Sequence, residues 1–337
     1  MDEVKFSLVA DSVRLVCPCV CLTLYLDLTN EPAVLSFYER VMEALKGELK
    51  FVIAESDTRR KKIDDRALSM VPTWLKKPRP YKSYYIAFHE NQEGCGPAKF
   101  EMSYSSFPEK DYPPEKLEAR RNNWRTLEQQ NPGGLGLSNS QLIVTFPLTH
   151  PLAQPSALLH WIKELALVAR GPLVSGYCGL GLNDYRETGN GELSFQLQQK
   201  MASLVLQHPG LDWQNPLKRR LIVFKRDADD LIPLIKRVNW LTFVGKRAVE
   251  YLGGRDSLNK HFAENREIGV HEFPWGVMVQ AGSSPQLGDI GHRDFIPNYR
   301  DVAKVLRPIR LPRIDGIGRG FTDEAANEWL NAFDRDY

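Results

Sequence analysis

Hydrophobic residues follow two spacings along this chain, and each spacing predicts a different kind of element. A largely apolar run from Leu15 to Leu26 is typical of a buried strand, and we predict a strand over Val13–Asp27. The apolar residues after it recur at helical spacing, which predicts a helix from Asn30 to Leu49 with Pro32 in its first turn. The same two patterns continue to the end of the sequence.

The remaining elements follow from these spacings and from the turn signals at their ends. The other predicted strands are Tyr84–His89, Lys99–Ser105, Gln141–Pro147, Leu173–Gly181, Arg219–Lys225, Trp240–Val244 and a hairpin of Gly269–Phe273 with Gly276–Gly282. The other predicted helices are Pro114–Leu127, Pro155–Ala169, Leu193–Gln207, Lys246–Leu252, Leu258–Asn265, Tyr299–Leu306 and Asp323–Phe333. Several strands are close in sequence, which favours antiparallel pairing. We therefore predict the α+β class, with antiparallel or mixed sheets and packed helices.

Length and composition are those of a globular protein. With 337 residues and 42% hydrophobic content, the chain can bury a sizeable core, and no low-complexity linker divides it. A single domain over residues 1–337 is expected. Both halves contain a strand, a helix and a pair of strands, an order that also suits two related, closely packed lobes of about 1–185 and 186–337. No residue-level repeat supports those lobes.

The amino terminus lacks the pattern of an export signal. Asp2 and Glu3 open it, and Asp11 and Arg14 interrupt the first apolar residues. The longest apolar run is about half of the roughly 20 residues that a membrane-spanning helix needs. We expect a cytoplasmic protein with no membrane partner.

Cysteine usage points to the same reducing compartment. Three of the five cysteines, Cys17, Cys19 and Cys21, alternate along the first predicted strand, so their side chains share one face. Neighbours on one strand do not easily form disulfides, and the second ligand pair of a zinc site is missing. Buried, reduced thiols are expected instead.

Candidate catalytic residues are few. Cys178 lies between glycines in the segment from Gly176 to Gly181, which could expose a nucleophile, but the spacing is not that of a nucleophile elbow, and close backbone packing is the favoured interpretation. His271 and Glu272 would point to opposite faces of their strand, and His292 has no motif partner. Phosphate-loop, zinc-protease and calcium-loop motifs are missing. We predict no catalytic residues, no metal and no cofactor.

Charge is nearly balanced but unevenly distributed. The 44 basic and 42 acidic residues give a net charge of +2, too little to indicate a polyanionic partner. Nine basic and two acidic residues give the segment from Arg59 to Lys82 a local charge of +7, so the rest of the chain carries −5. Trp74 and Tyr81 lie within this segment, and stacking rings among cations suit nucleic acid. A solvated surface is favoured, because no nucleic-acid motif accompanies them.

Acidic residues concentrate in two other places. An acidic turn holds Asp227, Asp229 and Asp230, and the carboxyl-terminal region holds Asp323, Glu324, Glu328, Asp334 and Asp336. Such surfaces can steer association with a cationic partner or can simply be solvated. The first acids of the terminal helix also complement its dipole.

The region from Asn239 to Arg310 resembles the signature of type VI secretion system immunity proteins, a family first described only as a domain of unknown function. The matching segments are Asn239–Gly245, Tyr251–Gly254, Gly276–Gly282, Pro285–Asp289, Pro297 with Tyr299, and Val305–Pro308. Upstream, Ser175–Leu180 fits a segment in which family members commonly carry alanine in place of Cys178. The residues that identify the family have the character of scaffold: Trp240, Gly245, Leu252, Gly253, Gly254, Gly282, Pro285, Gln286 and Gly288.

The resemblance implies a protein that binds a secreted effector toxin and has no catalysis of its own. The partner would be a cognate type VI effector. The expected kind of effector is a restriction-endonuclease-like nuclease that acts in the cytoplasm. Neutralisation would occur by stoichiometric occlusion of the active site, or of the surface that the effector uses to self-associate or to meet its chaperone. The two acidic regions are the candidate toxin-binding surfaces.

Two other hypotheses remain open at this point. A nucleic-acid-associated protein would use the basic segment from Arg59 to Lys82 and would bind DNA in a salt-sensitive way. A thiol hydrolase would depend on Cys178, so replacing that thiol with alanine would abolish its activity.

Overall fold

The structure of the chain is a computed structural model that describes residues 8–10, 13–26, 31–54, 59–76, 84–91, 100–106, 135–138, 140–169, 173–184, 191–213, 221–227, 230–313 and 320–335. The helices of this part are α1 (Glu31–Leu45), α2 (Asp65–Lys76), α3 (Pro155–Val168), α4 (Gly191–Gln207), α5 (Lys246–Tyr251), α6 (Gly254–Phe262), α7 (Pro297–Leu306) and α8 (Asp323–Leu330). The predicted helix at Pro114–Leu127 lies outside the described residues.

The strands run from β1 near the amino terminus to β15 in the last third of the chain. They are β1 (Leu8–Ala10), β2 (Val13–Leu26), β3 (Phe51–Ala54), β4 (Lys61–Lys62), β5 (Tyr84–His89), β6 (Glu101–Ser106), β7 (Leu135–Ser138), β8 (Ser140–Pro147), β9 (Leu173–Asp184), β10 (Asp212–Trp213), β11 (Leu221–Asp227), β12 (Asp230–Pro233), β13 (Leu241–Gly245), β14 (Ile268–Phe273) and β15 (Gly276–Ala281).

Twelve of these strands form one sheet. Its order is β14-β15-β13-β9-β2-β8-β6-β5-β3-β4, with β1 beside β2 and β10 beside β9, and β7, β11 and β12 form a separate small sheet. Within the described strands, pairing is antiparallel except between β9 and β10. Helices pack against this mixed sheet, so the predicted α+β class is confirmed. Strands of both predicted lobes pair in the same sheet, and the boundary near residue 185 stays a prediction.

The apolar run near the amino terminus forms the centre of the sheet. β2 pairs with β8 on one side and β9 on the other, so its backbone is enclosed along most of its length. Leu22 and Leu24 meet Phe37 of α1 and Ile162 of α3 on one face. Burying side chains of this size contributes about 1.5–3 kcal/mol each, so this contact stabilises the packing of α1 and α3 on the sheet.

The other face of β2 carries the alternating cysteines. Cys19 and Cys21 pack with Tyr25 and with Tyr177 of β9 in a separate buried cluster. Cys17 is buried too, and none of the three thiols forms a disulfide, as the alternation predicted. Burial, and then the neighbouring thiols, raise the pKa of Cys19, so it stays protonated and packs as a small apolar side chain.

Helix α2 was not predicted. It lies inside the basic segment and contains Pro72, whose missing N–H leaves the Leu68 carbonyl without its helical partner. The Tyr38 hydroxyl of α1 donates to that carbonyl at 3.4 Å, which satisfies it. Trp74 faces inward and is 4% exposed, so α2 is held to α1 by both packing and this hydrogen bond.

A second core lies on the carboxyl-terminal side of β9. Helices α4 and α8 pack there, and their apolar residues meet Trp213 of β10. Phe321 contacts the rings of Trp213 and Trp329 at centroid distances of 5.1 and 6.0 Å. The last helix of the chain is therefore an integral part of the core and not an appended segment.

Candidate functional site

The outer face of helix α8 presents acidic side chains. Thr322 caps the helix, because its hydroxyl accepts a hydrogen bond from the Ala325 N–H at 3.3 Å. Asp323 and Glu324 follow in the first turn, where the helix dipole favours negative charge, and both are exposed. Glu328, one turn later, is also exposed and lies 2.8 Å from Arg335. We call Asp323, Glu324 and Glu328 the acidic face.

Asp334 has a different environment. Its two carboxylate oxygens accept hydrogen bonds from both terminal nitrogens of Arg310 at 2.7 and 2.8 Å. Arg310 is buried, at 5% exposure, so this bidentate pair fixes the end of the chain against α7. Asp334 therefore stabilises the fold. Asp336 lies outside the described residues.

The acidic turn lies at the end of a hairpin in the small sheet. Asp227 and Asp230 are the last paired residues of β11 and β12, and Asp229 lies outside the described residues. The backbone thus brings Asp227 and Asp230 opposite each other at one edge of this sheet.

A buried cluster of charged side chains lies beneath helix α8. Sequence reasoning did not find this cluster. The Lys236 ammonium lies 2.6 Å from an Asp212 carboxylate oxygen and donates to the Tyr177 hydroxyl at 2.9 Å. The guanidinium of Arg237 packs 4.6 Å from the centre of the Trp329 ring. The four polar side chains are each less than 10% exposed: Tyr177, Asp212, Lys236 and Arg237. The available signal was a basic pair inside an otherwise apolar stretch, Leu234 to Val238.

Burial shifts the pKa values of this cluster. Desolvation lowers the pKa of Lys236, and the Asp212 carboxylate opposes that shift. Desolvation also lowers the pKa of Arg237 to about 10, which leaves it charged at neutral pH. Arg237 donates to the carbonyls of Pro209 and Leu211, at 2.5 and 3.4 Å. These contacts join β9, the turn before β10 and helix α8 into one rigid unit.

The glycines of the family-like region lie where other residues would not fit. Gly253, Gly254, Gly282 and Gly288 have φ values of 91°, 88°, 90° and 68°, in the left-handed region that glycine adopts without strain. Gly245 lies so close to the Val174 carbonyl that a Cβ there would collide with it.

The other residues of that region make structural contacts. Trp240 is fully buried and its indole N–H donates to the Gly282 carbonyl at 3.0 Å. The Gln286 N–H donates to the Tyr299 hydroxyl at 3.2 Å, Leu252 packs against the main core, and Pro285 is half-buried. These contacts hold the segment before α7 against the core of the carboxyl-terminal half.

The candidate nucleophile is buried. Cys178 is 0% exposed, and burial, followed by the charge of Cys21, raises the pKa of its thiol well above the usual value. A protonated thiol with no solvent access is a poor nucleophile. A Cβ at Gly176 would lie 2.6 Å from the Thr23 carbonyl oxygen, and one at Gly179 would collide with Asn239, so these glycines serve close packing.

The candidate histidines take part in local structure. His271 interacts with Gln280 at 2.9 Å, whereas Glu272 accepts hydrogen bonds from Arg255 and Asn259. They point away from each other, as the strand alternation predicted. His292 lies 2.9 Å from Asp289 within its own turn. Among the described residues, no group of three or more His, Cys, Asp or Glu side chains could hold a metal ion.

Over residues 59–76, which the structure describes, the basic segment presents no exposed ring on which a base could stack. Trp74 is buried in the core, so it cannot stack on a base, and Tyr81 lies outside the described residues. Arg60 donates to the side chain of Asn91 at 2.8 Å. Lys61 and Lys62 are exposed on the short edge strand β4, where charged side chains discourage pairing with another sheet.

Helix lengths and hydropathy bear on membrane association. Within the part of the chain that the structure describes, every helix is too short or too polar to cross a bilayer.

Similarity to known proteins completes the description of the site. The model of the TsiV family, described as type VI immunity for VRR-NUC, matches residues 33–333. Among solved structures, the T6SS protein PA0821 of Pseudomonas aeruginosa shares the fold: the TM-score is 0.69 at 17% identity, over 98% of this chain and 88% of that chain. No curated protein matches. Because the family model covers nearly the whole chain, the resemblance seen from Asn239 to Arg310 is confirmed, and the chain belongs to the family of type VI immunity proteins for VRR-NUC.

Proposed function

We propose that this chain is a non-catalytic inhibitor that binds a cognate type VI nuclease effector in the cytoplasm and covers its nucleic-acid-binding surface. The observation that carries the proposal is the family match over residues 33–333, whose description links the family to VRR-NUC. The buried, protonated state of Cys178 supports an inhibitor that works by binding alone.

Electrostatics suggests which surface makes contact. A nuclease needs a cationic groove to bind phosphates, and an inhibitor with exposed carboxylates can both steer toward that groove and replace the phosphates in it. The acidic face of α8 has this character. It is also rigid, because Thr322 caps the helix and Trp329 anchors it in the core. A rigid surface loses little conformational entropy on binding.

The test begins with the effector encoded beside this chain. Purified effector should cleave DNA, and titration with this protein should abolish cleavage at one inhibitor per effector. If the covered surface is instead the one for self-association or chaperone binding, cleavage by the isolated effector will persist while its oligomer or chaperone complex dissociates. If excess inhibitor changes neither DNA cleavage nor the assembly of the effector, the proposal is wrong.

Charge reversal on the acidic face should weaken the complex. We expect the double variant Asp323→Lys with Glu324→Lys to bind the effector about tenfold to a hundredfold more weakly at low salt, mostly through slower association. Surface plasmon resonance at two salt concentrations measures this. The matched control is Glu39→Lys with Glu43→Lys on the exposed side of α1, which reverses as much charge elsewhere. Equal loss in both variants would mean that net charge, and not the acidic face, determines the affinity.

Removing the Cys178 thiol should leave protection intact. We expect Cys178→Ala to rescue cells from the co-expressed effector as well as the unmodified protein does, while the free energy of unfolding falls by on the order of 1 kcal/mol because a small buried side chain is truncated. Colony counts and urea denaturation provide the two readouts. Loss of rescue by a variant that still folds would return the thiol to the list of catalytic candidates.

A further inference from the structure

A cleft of about 510 Å³ opens at one end of the sheet, and its lining contains none of the residues of the acidic face. It lies where β3 begins and where β5 and β8 end. Pro147, the last residue of β8, pairs with Cys19 of β2, which pairs with Gly181 of β9 opposite β10, so β10 lies at the same end of the sheet. Two carboxylates, Glu48 and Glu90, and one ammonium, Lys50, line it. The volume lies within the roughly 300–1,000 Å³ range of sites that hold organic ligands.

Aromatic rings form part of the cleft wall. The ring of His150 lies 5.4 Å from that of Phe100, nearly perpendicular to it, and 5.4 Å from that of Phe146. The Leu152 N–H donates to His150 Nδ1 at 3.3 Å, which fixes the ring and leaves Nε2 to carry the proton of the neutral form. The side chain is therefore a fixed, flat surface.

His150 contributes no positive charge at neutral pH. Burial lowers the pKa of the imidazole, and the Glu48 carboxylate opposes that shift only in part. The charged side chains of the lining are then Glu48, Glu90 and Lys50, and the guanidinium of Arg60 donates to the side chain of the lining residue Asn91 at 2.8 Å. Glu48 and His150 both line the cleft, so it offers a carboxylate and an aromatic ring to one ligand.

We infer that this cleft binds an arginine side chain presented by a partner polypeptide. A guanidinium is planar, so it can stack on a ring while its N–H groups donate to a carboxylate, and the lining of the cleft offers both. An ammonium group lacks the planar surface, which makes lysine a poorer fit. The cleft is large enough for the side chain and the adjoining backbone of the partner. This site does not depend on the acidic face or on the identity of the effector.

The test uses the full chain and a small probe, N-acetyl-arginine methylamide. The probe should shift the NMR signal of the His150 ring in a saturable way at millimolar concentrations. Glu48→Gln should weaken binding about threefold to fivefold, the effect of losing one exposed charge pair, and Lys50→Met should strengthen it by a similar factor. Both side chains are exposed, so neither substitution removes a core contact.

Controls separate the possible outcomes. Glu43→Gln, an exposed carboxylate of α1, should leave the binding constant unchanged, and so should Asp323→Lys, which tests the acidic face separately. The inference is overturned by a shift that does not saturate, by equal binding of the norleucine analogue of the probe, or by Glu48→Gln binding as well as the unmodified chain. None of these results would affect the titration of effector by inhibitor.

Discussion

Replacing Asp212 with alanine should lower the free energy of unfolding by about 3–5 kcal/mol, because it leaves the buried ammonium of Lys236 without its carboxylate. The two groups lie 2.6 Å apart, and their side chains are 1% and 5% exposed. Urea denaturation followed by circular dichroism measures the loss.

A double variant is the matched control for this prediction. Asp212→Leu with Lys236→Met removes both charges and keeps apolar volume, so it should recover most of the stability that Asp212→Ala loses. If the single and double variants are equally unstable, packing and not the unpaired charge is the cause.

The same variant should also respond to pH. Burial holds the pKa of Lys236 below its usual value of 10.5, and Asp212 opposes that shift, so removing Asp212 moves the folded-state pKa further down. The unfolded chain then binds more protons than the folded chain between the two pKa values, and stability rises with pH across that window. We expect the difference in free energy of unfolding between Asp212→Ala and the unmodified protein to become smaller as pH rises from 7 toward 10. A gap that stays constant would mean that Lys236 is not the group responsible.

Truncating Trp240 to alanine should cost about 3–5 kcal/mol, the range for removing a large buried ring. Trp240 is fully buried, and its N–H donates to the Gly282 carbonyl, whose residue has a φ of 90°. The substitution thus removes packing and one of the two hydrogen bonds to the Gly282 carbonyl, which keeps the one from Gln280 Nε2 at 3.0 Å. Guanidinium denaturation measures the total.

Trp240→Phe separates these two contributions. It keeps most of the ring packing but loses the indole donor, while Gln280 Nε2 donates to the same carbonyl at 3.0 Å. We therefore expect a cost of about 0.5–1.5 kcal/mol, the net contribution of one hydrogen bond. Equal losses in the two variants would show that the hydrogen bond accounts for nearly all of the effect.

Much of the fold could be predicted from sequence because its main strands carry strong local signals. The prediction for β2 ended one residue beyond Leu26, and β5 was placed at its observed bounds, Tyr84–His89. Helix α1 ends at Leu45 and not at Leu49, since Lys46 and Gly47 begin a turn that apolar periodicity does not show.

Helix α2 shows where such signals fail. Its buried residues Ala67, Val71, Trp74 and Leu75 have helical spacing, but the surrounding cations and Pro72 obscured the pattern. The hydroxyl that compensates for the proline comes from Tyr38, thirty-four residues earlier. A contact of that range is a property of the tertiary structure and has no local signature.

The candidate site was predictable only in part. Charge pattern indicated the exposed acids of α8, but it could not separate Asp323 and Glu324, which face solvent, from Asp334, which binds Arg310. Nor could it find Lys236, because a cation is expected at the surface until its distant partner in the core is known.

Helix α8 divides its residues between two tasks. Trp329 belongs to the core, where its indole N–H donates to the Leu211 carbonyl at 3.3 Å, while Asp323 and Glu324 face outward. Substitutions at such outward positions usually change stability by less than about 0.5 kcal/mol. A lineage can therefore exchange these side chains and acquire a new partner while its fold is preserved, so specificity can diverge quickly on a scaffold that changes slowly.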